Sequence, residues 1–298
     1  MCAAFRAGWR LSVLGLGLIG GSAGLAAQQR LGAAVTGWDH DQQAAAAALA
    51  RGAVNSVAAS VEQAVAAADL VFVAVPVGDI APLAMRALAG APDGCLVTDA
   101  GSTKAGITAA VRDPRFVGGH PLAGAREAGA AHSRGELFDG ADWYLTPGPE
   151  TAATALSTVS SLIRAFGAQP RVVDAARHDQ LMAFVSQIPH IFANTLMLTA
   201  SRFGDQLPAG PSFRDATRVA GANTPMWSDI YMSNRELLAP ALAETVAELE
   251  RVRAMLETGD ADGLAAWNDA AAAAADAHAT GCRAAGAEDS AESGGSQL

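Results

Sequence analysis

Residues 11–22 read LSVLGLGLIGGS. A short β-rich run, Leu11 to Gly15, enters Gly15-Leu16-Gly17-Leu18-Ile19-Gly20, and an alanine-rich, helix-forming stretch follows. This G-x-G-x-x-G turn decides the fold. Glycines permit a tight turn and a close backbone approach to a pyrophosphate, and the helix that follows offers N–H donors and a partial positive charge. With 31 glycines in the chain, the spacing alone is weak. Its context is stronger: Asp39 follows 19 residues after Gly20, at the end of a second strand-like run, AVTGW. A carboxylate there accepts from ribose hydroxyls and repels a 2′-phosphate. No arginine follows in WDHDQQ, so NAD is expected over NADP. The bland alternative is a glycine turn beside a surface aspartate.

Further strands are expected at 70–75, 95–100, 115–119, 143–147 and 170–174, separated by helix-like segments such as DQQAAAAALARG. Alternation of short apolar strands with helices predicts a Rossmann-type, mostly parallel, doubly wound α/β sheet. From about residue 175 the period changes. Leu181, Phe184, Val185, Ile188, Ile191, Phe192 and Leu196 recur at helical spacing, as do Leu238, Leu242, Val246 and Leu249. The expected organisation is a cofactor domain over 1–173, an all-helical substrate and dimerisation domain over 174–283, and a small-residue, acidic, disordered tail over 284–298.

The net charge of −10 among 298 residues argues against nucleic acid or an anionic membrane as partner. Cys2, Cys95 and Cys282 form no CxxC pair, which fits a reducing cytoplasm without disulfides or a thiolate metal site. The N-terminus shows no signal-peptide pattern, and the apolar runs are broken short of a membrane span.

Three crossovers carry candidate chemistry. In VAVPVGDI a strand ends at Val75, and Pro76 opens a loop at the crevice. In VTDAGSTKAGI, Ser102-Thr103 precede a helix starting near Lys104. Ser102 reads as an N-cap or as a hydroxyl aimed at the nicotinamide region. In RFVGGHPLAG, His120 stands at a strand's carboxyl end, where open α/β sheets bind ligands. It reads as a catalytic base, its neighbouring glycines leaving room for cofactor and substrate. Beyond the sheet, Pro189-His190 interrupts an apolar helix; the histidine is either a satisfied core residue or a pocket residue. Arg214 and Arg218 share a helical face near Trp227, as a solvated surface or as a carboxylate clamp.

GLGLIGGS, VAVPV, DAGSTK, GGHPLAG, QIPHIFANTL and FRDATRVA…PMW occur in one order over residues 10–240. The set resembles the prephenate/arogenate dehydrogenase family of tyrosine biosynthesis. The resemblance implies a cytoplasmic, NAD-dependent oxidative decarboxylase that dimerises through its helical domain. It implies His120 as the base for the ring hydroxyl, Ser102 as its support, and His190, Arg218 and Trp227 at the substrate, with Arg214 joining them on the clamp reading. Gly15, Gly17, Leu18, Ile19, Gly20, Asp39, Val75 and Pro76 would hold the cofactor. Two departures touch the pocket wall: Arg126, where the family often has an acid, and Pro211-Ser212, where it often has glycines. A β-hydroxyacid-type dehydrogenase would want a helical-domain lysine, and no lysine follows residue 175. A dehydrogenase for an amino analogue of prephenate is the nearer rival. A catalytically silent NAD-binding regulator would have no reason to keep Ser102, His120 and Arg218 together. The length is expected to leave no room for a fused mutase or sensing domain.

Overall fold

The computed structural model describes Phe5 and residues 8–125, 127–204 and 210–294. Among them, eight strands form one sheet: β1 (Arg10–Leu14), β2 (Ala34–Trp38), β3 (Ser56–Val57), β4 (Leu70–Val73), β5 (Leu96–Asp99), β6 (Phe116–Pro121), β7 (Asp142–Thr146) and β8 (Gln169–Val172). Their order is β3-β2-β1-β4-β5-β6-β7-β8, parallel throughout except for the antiparallel β6–β7 pair. Seven strands lie within two residues of their expected positions. The two-residue β3 is too short for a sequence signal.

β4, LVFV, is buried on both faces, and its side chains alternate between them. Leu70 and Phe72 join Leu11, Val13, Phe138, Trp143 and Phe166 on one face. Val71 and Val73 join Leu14, Ile80, Val97 and Phe116 on the other. Helices α1 (Leu18–Leu31), α2 (Gln42–Arg51), α3 (Val61–Val65), α4 (Val77–Gly90), α5 (Ala105–Ala110) and α6 (Ala153–Ala165) complete this layered body. The strand order reverses between β1 and β4, so the turns after these two strands flank the crevice where such sheets bind ligands.

The chain then becomes helical: α7 (Ala175–Met182), a π turn at Ala183–Gln187, α8 (Ile188–Ala200), α9 (Pro211–Thr217), α10 (Thr224–Ser233), α11 (Arg235–Thr258) and α12 (Ala261–Gly294). Pro189 has no N–H to give, and the helix responds before it rather than breaking at it. Ile188 donates to Ala183 O, five residues back. The run from Ala175 to Phe203 is long and apolar enough to cross a membrane by length and composition, contrary to the sequence expectation. It nevertheless buries His178, Asp179 and Gln187 against the protein.

Chain contacts divide the molecule into two units, Met1–Ala239 and Pro240–Leu298. Helices α7–α10 fall in the first, because Asp179, Asp229, Ser233 and Asn234 bond within it. The expected boundary at 173/174 marks where strands stop, not where contacts do. In the second unit, Arg251 and Arg253 pair with Glu248, Glu250 and Glu257 on the surface, and Val246 and Leu249 remain exposed. Helix α12 runs through the segment expected as a disordered tail, as far as Gly294; alanine and glutamate there favour helix. Residues 295–298 lie outside the described set.

Candidate active site

The glycine turn divides its labour. Gly15 has φ +97°, and an added Cβ would strike Ala74 O. A Cβ at Gly20 would strike Gly15 O, so that glycine serves helix-to-strand packing. At Gly17, the N-cap of α1, a Cβ would meet nothing within 4 Å. Space is therefore kept open at a helix N-terminus, where a pyrophosphate is stabilised. Leu18 and Ile19 open the helix beside it. Asp39 lies at the end of β2, and its Oδ2 accepts the Leu16 N–H at 2.7 Å, while Oδ1 accepts Asp41 N–H at 2.8 Å. The carboxylate is thus fixed against the glycine turn with lone pairs to spare. Val75 and Pro76 follow β4, next to β1, and Pro76 precedes the first turn of α4. Donor set and open cradle fit a dinucleotide with free ribose hydroxyls.

His120 lies near the carboxyl end of β6, on the same sheet edge as the glycine turn, with β7 pairing alongside it (His120 opposite Tyr144). The glycines before it do not open space for ligands, as the sequence suggested. A Cβ at Gly118 would strike Thr146 Oγ1, and one at Gly119 would lie 2.5 Å from Asp99 O and 3.1 Å from Trp143 Nε1. Both glycines yield to the protein's own packing. The Gly119 backbone also bonds to a buried ion pair. Lys104 Nζ bonds Asp99 Oδ2 and donates to Gly119 O at 2.7 Å, and Asp99 accepts Gly119 N–H at 3.0 Å and Gly101 N–H at 2.7 Å. Both side chains are 0% exposed. Burial lowers the Lys104 ammonium's pKa, and the Asp99 and Asp179 carboxylates oppose that.

Two residues that the sequence reading did not single out complete this core. His178 Nε2 lies 2.9 Å from His120 Nδ1, and His178 Nδ1 lies 2.7 Å from Asp179 Oδ1. Asp179 also accepts the backbone N–H groups of Lys104 (2.7 Å) and Ala105 (2.8 Å). It therefore caps α5, the role that the sequence offered to Ser102. Ser102 is half-buried and, among the described residues, its hydroxyl is committed to no hydrogen bond. Burial first, then His178 and Lys104, pushes the His120 pKa well below 6.5, so the imidazole is neutral.

A second cluster joins α8 and α10. The His190 ring stacks on Trp227 with centroids 3.6 Å apart, its Nδ1 bonds Tyr231 Oη, and Asn194 Nδ2 approaches the same nitrogen at 3.4 Å. Burial raises the Tyr231 phenol, keeping it a donor. Two donors at Nδ1 place the ring hydrogen on Nε2, which is buried, and the Val219 backbone lies within the ring's hydrogen-bonding surroundings. Arg214 on α9 and Arg218 at its end are exposed, not buried as a carboxylate clamp would suggest. Pro211 takes the first helical position of α9 after Gly210, which suits proline's fixed φ. Arg126 lies outside the described residues.

Two family descriptions match: prephenate dehydrogenase, nucleotide-binding domain, over residues 23–172, and prephenate dehydrogenase, dimerization domain, over 174–269. The chain is similar to the prephenate dehydrogenase of Bacillus subtilis, with 32% identity over 262 residues, 84% of this chain and 71% of that protein. It is 30% identical to the cyclohexadienyl dehydrogenase of Zymomonas mobilis, over 85% of this chain and 90% of that one. Among solved structures, prephenate dehydrogenase from A. aeolicus, in complex with hydroxyphenyl propionate and NAD+, aligns with a TM-score of 0.78 at 25% identity, covering 84% of this chain and 91% of that one.

Proposed function

The chain belongs to the prephenate dehydrogenase family, and on that premise we propose how its own residues carry out NAD-dependent oxidative decarboxylation of prephenate, or of arogenate. The observation that carries the reading is a buried, neutral imidazole, His120, on the sheet edge shared with the open cradle at Gly17. Gly15, Gly17, Leu18, Ile19 and Gly20 hold the pyrophosphate, Asp39 the ribose, and Val75-Pro76 the crevice wall. Bound NAD supplies the hydride acceptor.

The substrate ring carries a hydroxyl and a hydrogen on one carbon. His120 accepts the hydroxyl proton as that hydrogen leaves with its electron pair, and the C–O bond becomes a carbonyl. The ring C–CO₂⁻ bond then breaks, its electrons aromatise the ring, and the oxygen takes the proton back from the imidazolium. Carbon dioxide and a phenol result, with no net proton released. Ser102, uncommitted beside α5, supports the hydroxyl. His190, held with its ring stacked on Trp227 and its Nδ1 on Tyr231, donates to an oxygen of the substrate side chain. Arg214 and Arg218 orient carboxylates from the rim. A donor at His190 suits a keto acid better than an ammonium group, so we read prephenate as preferred over arogenate.

Purified protein with NAD should therefore form NADH faster with prephenate than with arogenate in parallel assays. Binding of NAD with turnover of neither would favour the amino-analogue dehydrogenase or the silent regulator.

We also read a cytoplasmic homodimer. Phe184, Val185, Phe192 and Leu196 are exposed apolar side chains of the Ala175–Phe203 run, within the region that matches the family's dimerization domain. Phe192→Asp combined with Leu196→Asp, one turn apart, should convert the dimer to a 30.1 kDa species in sedimentation velocity. An unchanged sedimentation coefficient would place the interface elsewhere.

A further inference from the structure

His120, His178 and Asp179 stand in one hydrogen-bonded line, and its donors can be assigned from the carboxylate outward. Three donors converge on Asp179: two backbone N–H groups of α5 and the His178 ring. An ionised carboxylate only accepts, so the hydrogen between it and His178 belongs to His178 Nδ1. A neutral His178 then offers a lone pair at Nε2. The contact at 2.9 Å therefore needs the hydrogen on His120 Nδ1. That leaves the His120 Nε2 lone pair free. The opposite assignment would need a doubly protonated His178, placing a second cation in the fully buried surroundings of Lys104.

We propose that His178 and Asp179 are positioning residues that hold His120 as its Nδ1–H tautomer, keeping the Nε2 lone pair for the substrate hydroxyl. The inference rests on the reading of His120 as the base. When Nε2 takes the proton, His120 still donates its Nδ1–H to His178, Asp179 stays ionised, and no proton moves along the line. Asp179 gives the line a fixed end because its oxygens cap α5, the helix that begins just after Ser102. The groups packed around the pair are accounted for: Lys104 bonds Asp99 and Gly119 O, and the Tyr144 ring meets His178 edge-on at 5.4 Å.

The test uses the full chain labelled with ¹⁵N-histidine. Long-range proton–nitrogen spectra separate the two tautomers, and His120→Asn identifies the His120 signals among the six histidines. A protonated Nδ1 and a bare Nε2 are expected; a protonated Nε2 in the wild-type protein overturns the inference. His178→Phe keeps a ring and removes the acceptor. It should lower kcat by at least about tenfold with little change in the KM for prephenate. His178→Gln, whose amide oxygen can accept from His120, should recover most of the loss. Wild-type kcat in His178→Phe also overturns the inference. Turnover retained by His120→Asn would instead remove the base itself. An inactive His120→Asn beside a fully active His178→Phe would remove only the role of His178 and Asp179.

Discussion

His120→Asn should lower kcat by about 10²–10⁴-fold, the usual worth of a positioned general base, while NAD binding is unchanged. Asparagine keeps a polar side chain at the end of β6 and cannot take a proton near neutrality. The dinucleotide cradle is on β1, α1 and β2, which His120 does not build. Equilibrium fluorescence for NAD and steady-state rates for prephenate separate the two effects. A variant that still turns over within a few-fold of wild type would place the base elsewhere.

The same residue sets the acid limb. Its folded pKa lies well below 6.5, through burial first and then through His178 and Lys104. Since the base works neutral, kcat/KM should hold as pH falls through 6.5 and drop only at lower pH. Stability follows the same sign. Above pH 6.5 the ring is neutral both folded and unfolded. Below it the unfolded chain takes a proton that the folded one resists, so stability is lost as pH falls towards the folded pKa. A kcat/KM limb at or above 6.5 would contradict a buried neutral base.

The second large effect is on the fold. Lys104→Met should cost about 3–5 kcal/mol, the usual penalty for leaving one member of a buried pair without the other. Methionine retains the apolar stem, so the loss is that of the ammonium. Asp99 would remain fully buried, held only by the N–H groups of Gly101 and Gly119, and Gly119 O would lose its donor. Urea unfolding should show a lower midpoint at constant slope. A midpoint like that of the wild type would mean that the pair is neutralised or dispensable. Lys104 is also the only lysine in a chain whose other basic residues are arginines.

The glycine turn, Asp39 and the seven longer strands were legible because each rests on local backbone demands: positive φ, a helix start, an alternating buried pattern. His120 was legible for a similar reason, as a polar residue at a strand end. The reason for Gly118-Gly119 was not. Spacing shows that side chains are absent, but not whether a ligand or Asp99, Thr146 and Trp143 fill the gap. The cap on α5 was equally hidden. Ser102-Thr103 have the right chemistry and position, yet the acceptor comes from Asp179, some 75 residues on, through a contact that no local period encodes. The adjacent His178-Asp179 pair was visible in RHDQLM, but only tertiary packing brings it to His120. The exposure of Arg214 and Arg218 likewise follows from how α9 packs, not from residue type.

The π turn at Ala183–Gln187 has a consequence for the geometry of the whole site. It inserts one residue into an otherwise α-helical run that holds His178 before it and His190 after it. One residue corresponds to about 100° of rotation on an α-helix. The turn therefore sets the rotational phase between His178, which we propose aligns the base, and His190, which we propose meets the substrate side chain. Regular α-helix through the same residues would turn one of them by roughly a quarter-turn relative to the other and shift it along the axis by about 1.5 Å.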